Sequence, residues 1–112
     1  PYISEKSIIR PTFSYLGNFT ISDIVFRQIA EVLASKEPAI YKVLKTRVDK
    51  SVEGPIIYME VMVTYGYNVI DALKQFKNEA KREIENLTAM NVVSLEVVAK
   101  SVYIPEENKE EL

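Results

Sequence analysis

Residues 54–69 read G-P-I-I-Y-M-E-V-M-V-T-Y-G-Y-N-V, and their parsing decides the fold. Ile57, Met59, Val61, Val63 and Tyr65 fall on one parity; Ile56, Tyr58, Glu60, Met62 and Thr64 fall on the other. A period of two puts the two sets on opposite faces of a strand. The run then stops at a glycine between two tyrosines. Gly66 can adopt a positive φ that other residues resist, and Asn68 is a good helix N-cap, with Asp71 three residues on. The stretch therefore reads as a joint: strand, turn, helix. The competing reading makes Tyr65 and Tyr67 the walls of a ligand site.

Downstream of the joint, Val69, Leu73, Phe76, Ala80, Ile84 and Leu87 recur every three or four residues. This predicts an amphipathic helix. Its polar face carries Lys74, Lys77, Lys81 and Arg82, a candidate basic ridge. A turn over 88–91 leads to alternating Val93, Leu95, Val97 and Ala99, a last strand ending before Pro105. Upstream, Glu53-Gly54-Pro55 reads as a hairpin turn. Residues 40–52 are a strand in their second half, and their first half fits a short helix or strand. Ser22 caps a first helix over 23–35, striped by Val25, Ile29 and Leu33 and stopped by Pro38. Phe19 and Ile21 suit a short strand before it.

The expected architecture is α+β, in the order (β)-α-β-β-α-β. It is a two-layer sandwich: a three- to four-stranded antiparallel or mixed sheet with two helices on one face. The division is an N-terminal arm over 1–16, one domain over 17–104, and an acidic, disordered tail over 105–112. The expected core is Val25, Ile29, Leu33, Met59, Val61, Val63, Leu73, Phe76, Ala80, Ile84, Leu87, Leu95 and Val97.

Composition narrows the chemistry. The 112 residues contain no Cys and no His. That excludes disulfides, thiol nucleophiles and His-dependent triads, and leaves few donors for zinc or transition metals. No catalytic, cofactor-binding or metal-ligating residue is expected. The net charge of −2 draws the chain to neither nucleic acid nor an anionic membrane. The three glycines form no G-x-x-G loop for RNA. Glu79, Glu83 and the glutamates of the tail read as solvated charge. Pro1 could serve as a tautomerase-type amine base, but the polar residues that follow it are a poor core strand. No apolar run approaches the roughly 18 residues a membrane helix needs. A cytoplasmic location is expected, with membrane contact only through a partner.

Several segments, in order, resemble the alkaline-shock-protein (envelope-stress-response) family of Gram-positive bacteria. They are I-S-D at 21–23 with V-F-R-Q-I-A, the E-G turn at 53–54, Y-G-Y-N-V at 65–69, and E-N-L-T-A-M-N-V at 85–92. The resemblance spans Gly17 to Ile104. It implies a non-enzymatic interaction or scaffold protein of envelope stress, self-associating and binding a small membrane-anchor protein. It also leaves open a regulatory partner of a lipid-metabolic enzyme, of the fatty-acid kinase or acetyl-CoA carboxylase type.

With both helices on one face, the other sheet face has no layer left. Ile56, Tyr58, Met62, Val92 and Val98 are the candidate interaction surface on it, and homo-oligomerisation is the expected consequence. The alternative is that the arm, with Ile8, Ile9, Phe13, Tyr15 and Leu16, folds back as a lid.

Overall fold

A computed structural model describes residues 12–15 and 19–106, with side chains from residue 21. A short antiparallel hairpin, β1 (Thr12–Tyr15) and β2 (Phe19–Ser22), leads directly into α1 (Asp23–Ser35). Then follow β3 (Ile40–Ser51), β4 (Gly54–Thr64), α2 (Val69–Thr88) and β5 (Ser94–Tyr103). The main sheet has the order β3-β4-β5, antiparallel between β3 and β4 and parallel between β4 and β5. The parallel pair is what the long α2 crossover makes possible. The protein is thus an α+β fold with a three-stranded mixed sheet and two helices. Residues 1–11, 16–18 and 107–112 lie outside the described residues, and with them most of the expected arm over 1–16, the greater part of the expected tail over 105–112, Pro1 and most of the proposed lid.

The local signals explain the elements. Ser22 Oγ accepts the Ile24 amide at 3.2 Å and caps α1. Asn68 Oδ1 accepts the Asp71 amide at 3.3 Å, and its own amide donates to the Asp71 carboxylate at 2.9 Å. Gly66 sits in the turn before it at φ 108°. Residues 65–69 are therefore the joint, with Tyr65 and Tyr67 about half exposed at its rim. Ala89 ends α2 in the left-handed conformation, and its amide donates to the Glu85 carbonyl at 2.8 Å. Residues 40–51 are one continuous strand. The helical spacing of Ile40, Val43 and Leu44 loses because pairing with β4 satisfies the backbone along the whole segment, through two register shifts.

The core lies between the helices and one face of the sheet. Ile57, Met59, Val61 and Val63 of β4 are at most 6% exposed, against Phe26, Ala30 and Ala34 of α1 and Phe76, Ala80 and Ile84 of α2. Ile29, Leu33, Leu73 and Val97 pack half-buried around them. Two expected core residues stand outside. Val25 is 37% exposed, because the buried line of α1 runs one position on, through Phe26, Ala30 and Ala34. The two alanines let the helix approach the strands closely. Leu87 is 69% exposed. The buried line of α2 steps by four, 76-80-84-88, so Thr88 takes the inward position and bonds its hydroxyl to the Ile84 carbonyl at 2.7 Å.

Candidate interaction surface

The second face of β4 presents Ile56, Tyr58, Glu60, Met62 and Thr64, all partly exposed. Register places Ser94, Glu96, Val98, Ser101 and Tyr103 of β5 beside them in turn. On the other flank stand Asp49, Arg47, Lys45 and Lys42 of β3. Among the described residues, both helices pack on the opposite side and no element covers this face. Ile56, Tyr58, Met62 and Val98 thus lie where the sequence puts them.

Val92 does not. It is 3% exposed and belongs to the core, its amide donating to Glu85 Oε2 at 2.8 Å. Counting by twos back from Val98 assumes that the strand extends that far, but β5 begins at Ser94. The irregular link after Ala89 shifts the phase, so Val92 turns in and Val93, 43% exposed, turns out.

The face is chemically mixed. Arg47 lies over the Tyr58 ring, 4.9 Å from its centroid, and pairs with Asp49 at 3.3 Å. The Tyr58 hydroxyl donates to Glu60 Oε2 at 2.7 Å. That bond, some desolvation, and the negative charges of Glu60 and Glu96 raise the Tyr58 phenol above its ordinary pKa, with Arg47 opposing. Toward the other end, Tyr41 and Tyr103 stack, 3.9 Å between centroids and 10° between planes. They come from β3 and β5, so the pair bridges the central strand. This aromatic clasp escaped sequence reasoning. It joins residues 62 apart, and only the sheet order makes them neighbours.

The basic ridge is present but interrupted. Lys74, Lys77, Lys81 and Arg82 are exposed on α2, among exposed Glu79 and Glu83, and Lys81 pairs with Glu85 at 3.4 Å. A second apolar area lies between the outer sides of the helices. Gln28, Ile29, Val32, Leu33, Glu83 and Leu87 line a shallow groove of about 230 Å³. Among the described residues no group of three acidic side chains could hold a metal ion, and no helix is long and apolar enough to cross a membrane.

No family model and no curated protein matches the chain. Solved structures do. MamM CTD 215–293 superposes with a TM-score of 0.53 at 15% identity, covering 70% of this chain and 98% of that one. A cadmium form and a nickel form of MamM CTD variants each give 0.52 at 15% identity, covering 70% of this chain and 95% and 96% of theirs. At this identity the likeness is one of fold: the helices and three-stranded sheet of this chain have the architecture of nearly the whole MamM CTD.

Proposed function

We propose that the chain is a non-enzymatic interaction module of the cell-envelope stress response, one that self-associates and binds a membrane-anchor protein through the open face of its sheet. The observation supporting an interaction role is that face. Ile56, Tyr58, Met62 and Val98 stand on it among Glu60, Glu96 and Arg47 with no described layer over them, and an uncovered sheet face that carries apolar side chains is a candidate binding surface. The assignment to envelope stress leans on the sequence resemblance, whose Y-G-Y-N-V step forms the joint between β4 and α2. Cadmium and nickel forms occur among the fold neighbours. The chain has neither His nor Cys to ligate such metals.

The test is affinity capture from native membranes with the parent and a Met62→Asp variant, followed by light scattering of both. The expected result is one small membrane protein captured by the parent and lost with Met62→Asp, together with reduced self-association. Capture of a fatty-acid kinase or a carboxylase subunit instead would replace the envelope reading with the lipid-metabolic one.

A further inference from the structure

α1 carries two apolar lines at helical spacing. Phe26, Ala30 and Ala34 form the buried one. Val25, Ile29 and Val32 form the other. Ile29, Val32 and Leu33 line the shallow groove together with Glu83 and Leu87 of α2. Val32 and Leu87 are each more than half exposed, and Val25 is exposed one turn earlier. Exposed apolar side chains from two helices that share one hollow are not the scattered apolar residues of an ordinary surface. The hollow, about 230 Å³, is smaller than a usual small-molecule pocket and suits one or two aliphatic side chains.

Two terminal segments of the sequence are candidates to fill it, residues 1–11 and 107–112. The second follows β5, whose Tyr103 is bonded to Tyr65 beside the joint that opens α2. Leu87 is at the far end of α2, roughly 27 Å along its axis at 1.5 Å per residue. That segment reads E-N-K-E-E-L, acidic with a single apolar residue. The first segment is better placed. β1 and β2 are antiparallel with Thr12 opposite Ser22, so residue 11 leaves the hairpin where α1 begins. Ile29 and Val32 lie roughly 10–15 Å along α1 from there. Ile9 and Ile8, three and four residues before Thr12, reach roughly 10–14 Å in an extended chain.

Charge agrees with reach. Acidic side chains border the groove: Glu83 in its lining, Glu79 one turn before, and Glu31 beside Val32. Lys74, Lys77 and Lys81 fall on the other flank of α2 by helical spacing. Among the described residues Glu83 has no ion-pair partner. Residues 1–11 carry Lys6 and Arg10 against one acid, Glu5. We infer that this arm docks along the α1–α2 groove of its own chain, with Ile8 and Ile9 against Val32 and Leu87 and its cations toward the glutamates. The open sheet face is then left free.

The chain contains no Cys, so an introduced pair provides its only thiols. Ile9→Cys is combined with Leu87→Cys in one full-length variant and with Met62→Cys in another, each shown to be folded by circular dichroism. A disulfide needs Cα atoms within about 7 Å of each other. Under mild oxidation the Leu87 variant should close a disulfide within one chain about tenfold faster or more than the Met62 variant. Limited trypsin digestion is the second measurement. Cleavage after Lys6 should speed up about tenfold with Leu87→Asp and stay unchanged with Met62→Asp. Faster closure of the Met62 pair would put the arm on the open sheet face, and equal rates would mean that it docks on neither. A disulfide formed only between two chains would give the groove to a second copy's arm. Each of these results overturns the inference, as does a Lys6 cleavage rate indifferent to Leu87→Asp. Capture of a membrane protein by the sheet face is a separate readout, so the two proposals fail independently.

Discussion

Met59 and Met62 are three residues apart on β4, yet they inhabit different environments. Met59 is fully buried beneath the helices, and Met62 looks out from a face with nothing described above it. The same contrast runs along the strand: Ile57 against Ile56, Val61 against Tyr58 and Glu60. Both parities are rich in apolar residues, so residue type alone does not tell the covered face from the open one. What separates them is where α1 and α2 dock. A face that is apolar without being covered is either an interface or a hazard, and Glu60, Arg47 and Glu96 keep this one mixed in character.

The largest effect that would break this comparison is at the centre of the covered face. Phe76→Ala removes a ring that is 2% exposed and should cost about 3–5 kcal/mol in chemical denaturation. A loss below about 1 kcal/mol would mean that α2 does not pack as described. Next is the seam that closes one end of the core. Gly54 has φ 145°, and a Cβ there would overlap the Asn91 carbonyl oxygen. Gly54→Ala adds backbone strain to overpacking and should cost about 3 kcal/mol. Gly66→Ala shares the positive φ but meets open space, so only the strain is expected, about 1 kcal/mol in the same assay. Equal losses at both sites would show that the Asn91 contact is unimportant.

The methionine pair sharpens the comparison directly. Met59→Ala should cost about 2 kcal/mol or more, and Met62→Ala under about 1 kcal/mol. Urea unfolding of the two variants in parallel decides it; similar losses would mean that the second face is covered too. The smallest effect concerns the Tyr58–Glu60 bond. Tyr58 has a folded pKa raised above the ordinary value of 10.0, so it contributes stability below that pH that is lost as pH rises through the folded value. At neutral pH, where that contribution is present, Glu60→Gln keeps an acceptor for the hydroxyl but loses the charge, and should lower stability slightly. In an ultraviolet titration it should let one tyrosine ionise at lower pH than in the parent. Superimposable titration curves would show that the bond is not formed in solution.

Much of the fold is legible in one dimension because its signals are local. The Ser22 and Asn68 caps, the Gly66 turn, the period-two run of β4 and the three-to-four spacing of α2 each depend on residues within one or two turns of chain. Part of the candidate surface follows from the same arithmetic, since Ile56, Tyr58 and Met62 need only the alternation of one strand. The failures occur where a period is carried past the end of its element, or where two elements meet. Carrying the alternation of β5 two residues back past Ser94 makes Val92 outward, whereas it is buried. Leu87 and Val25 belong to hydrophobic stripes that have a width, and only docking selects the centre line that is buried.

Sequence by itself therefore determined most of the element types and their order, though not β1 or the first half of β3, together with the α+β class and the absence of His and Cys, all properties of near neighbours or of composition. Tertiary structure decided the order β3-β4-β5, the parallel pairing of β4 with β5, the Tyr41–Tyr103 clasp and the burial of Val92. These depend on which distant segments share a hydrogen-bonded edge or a packed layer. Such contacts are settled by the burial and backbone pairing of the whole chain at once, and no short window of residues contains them.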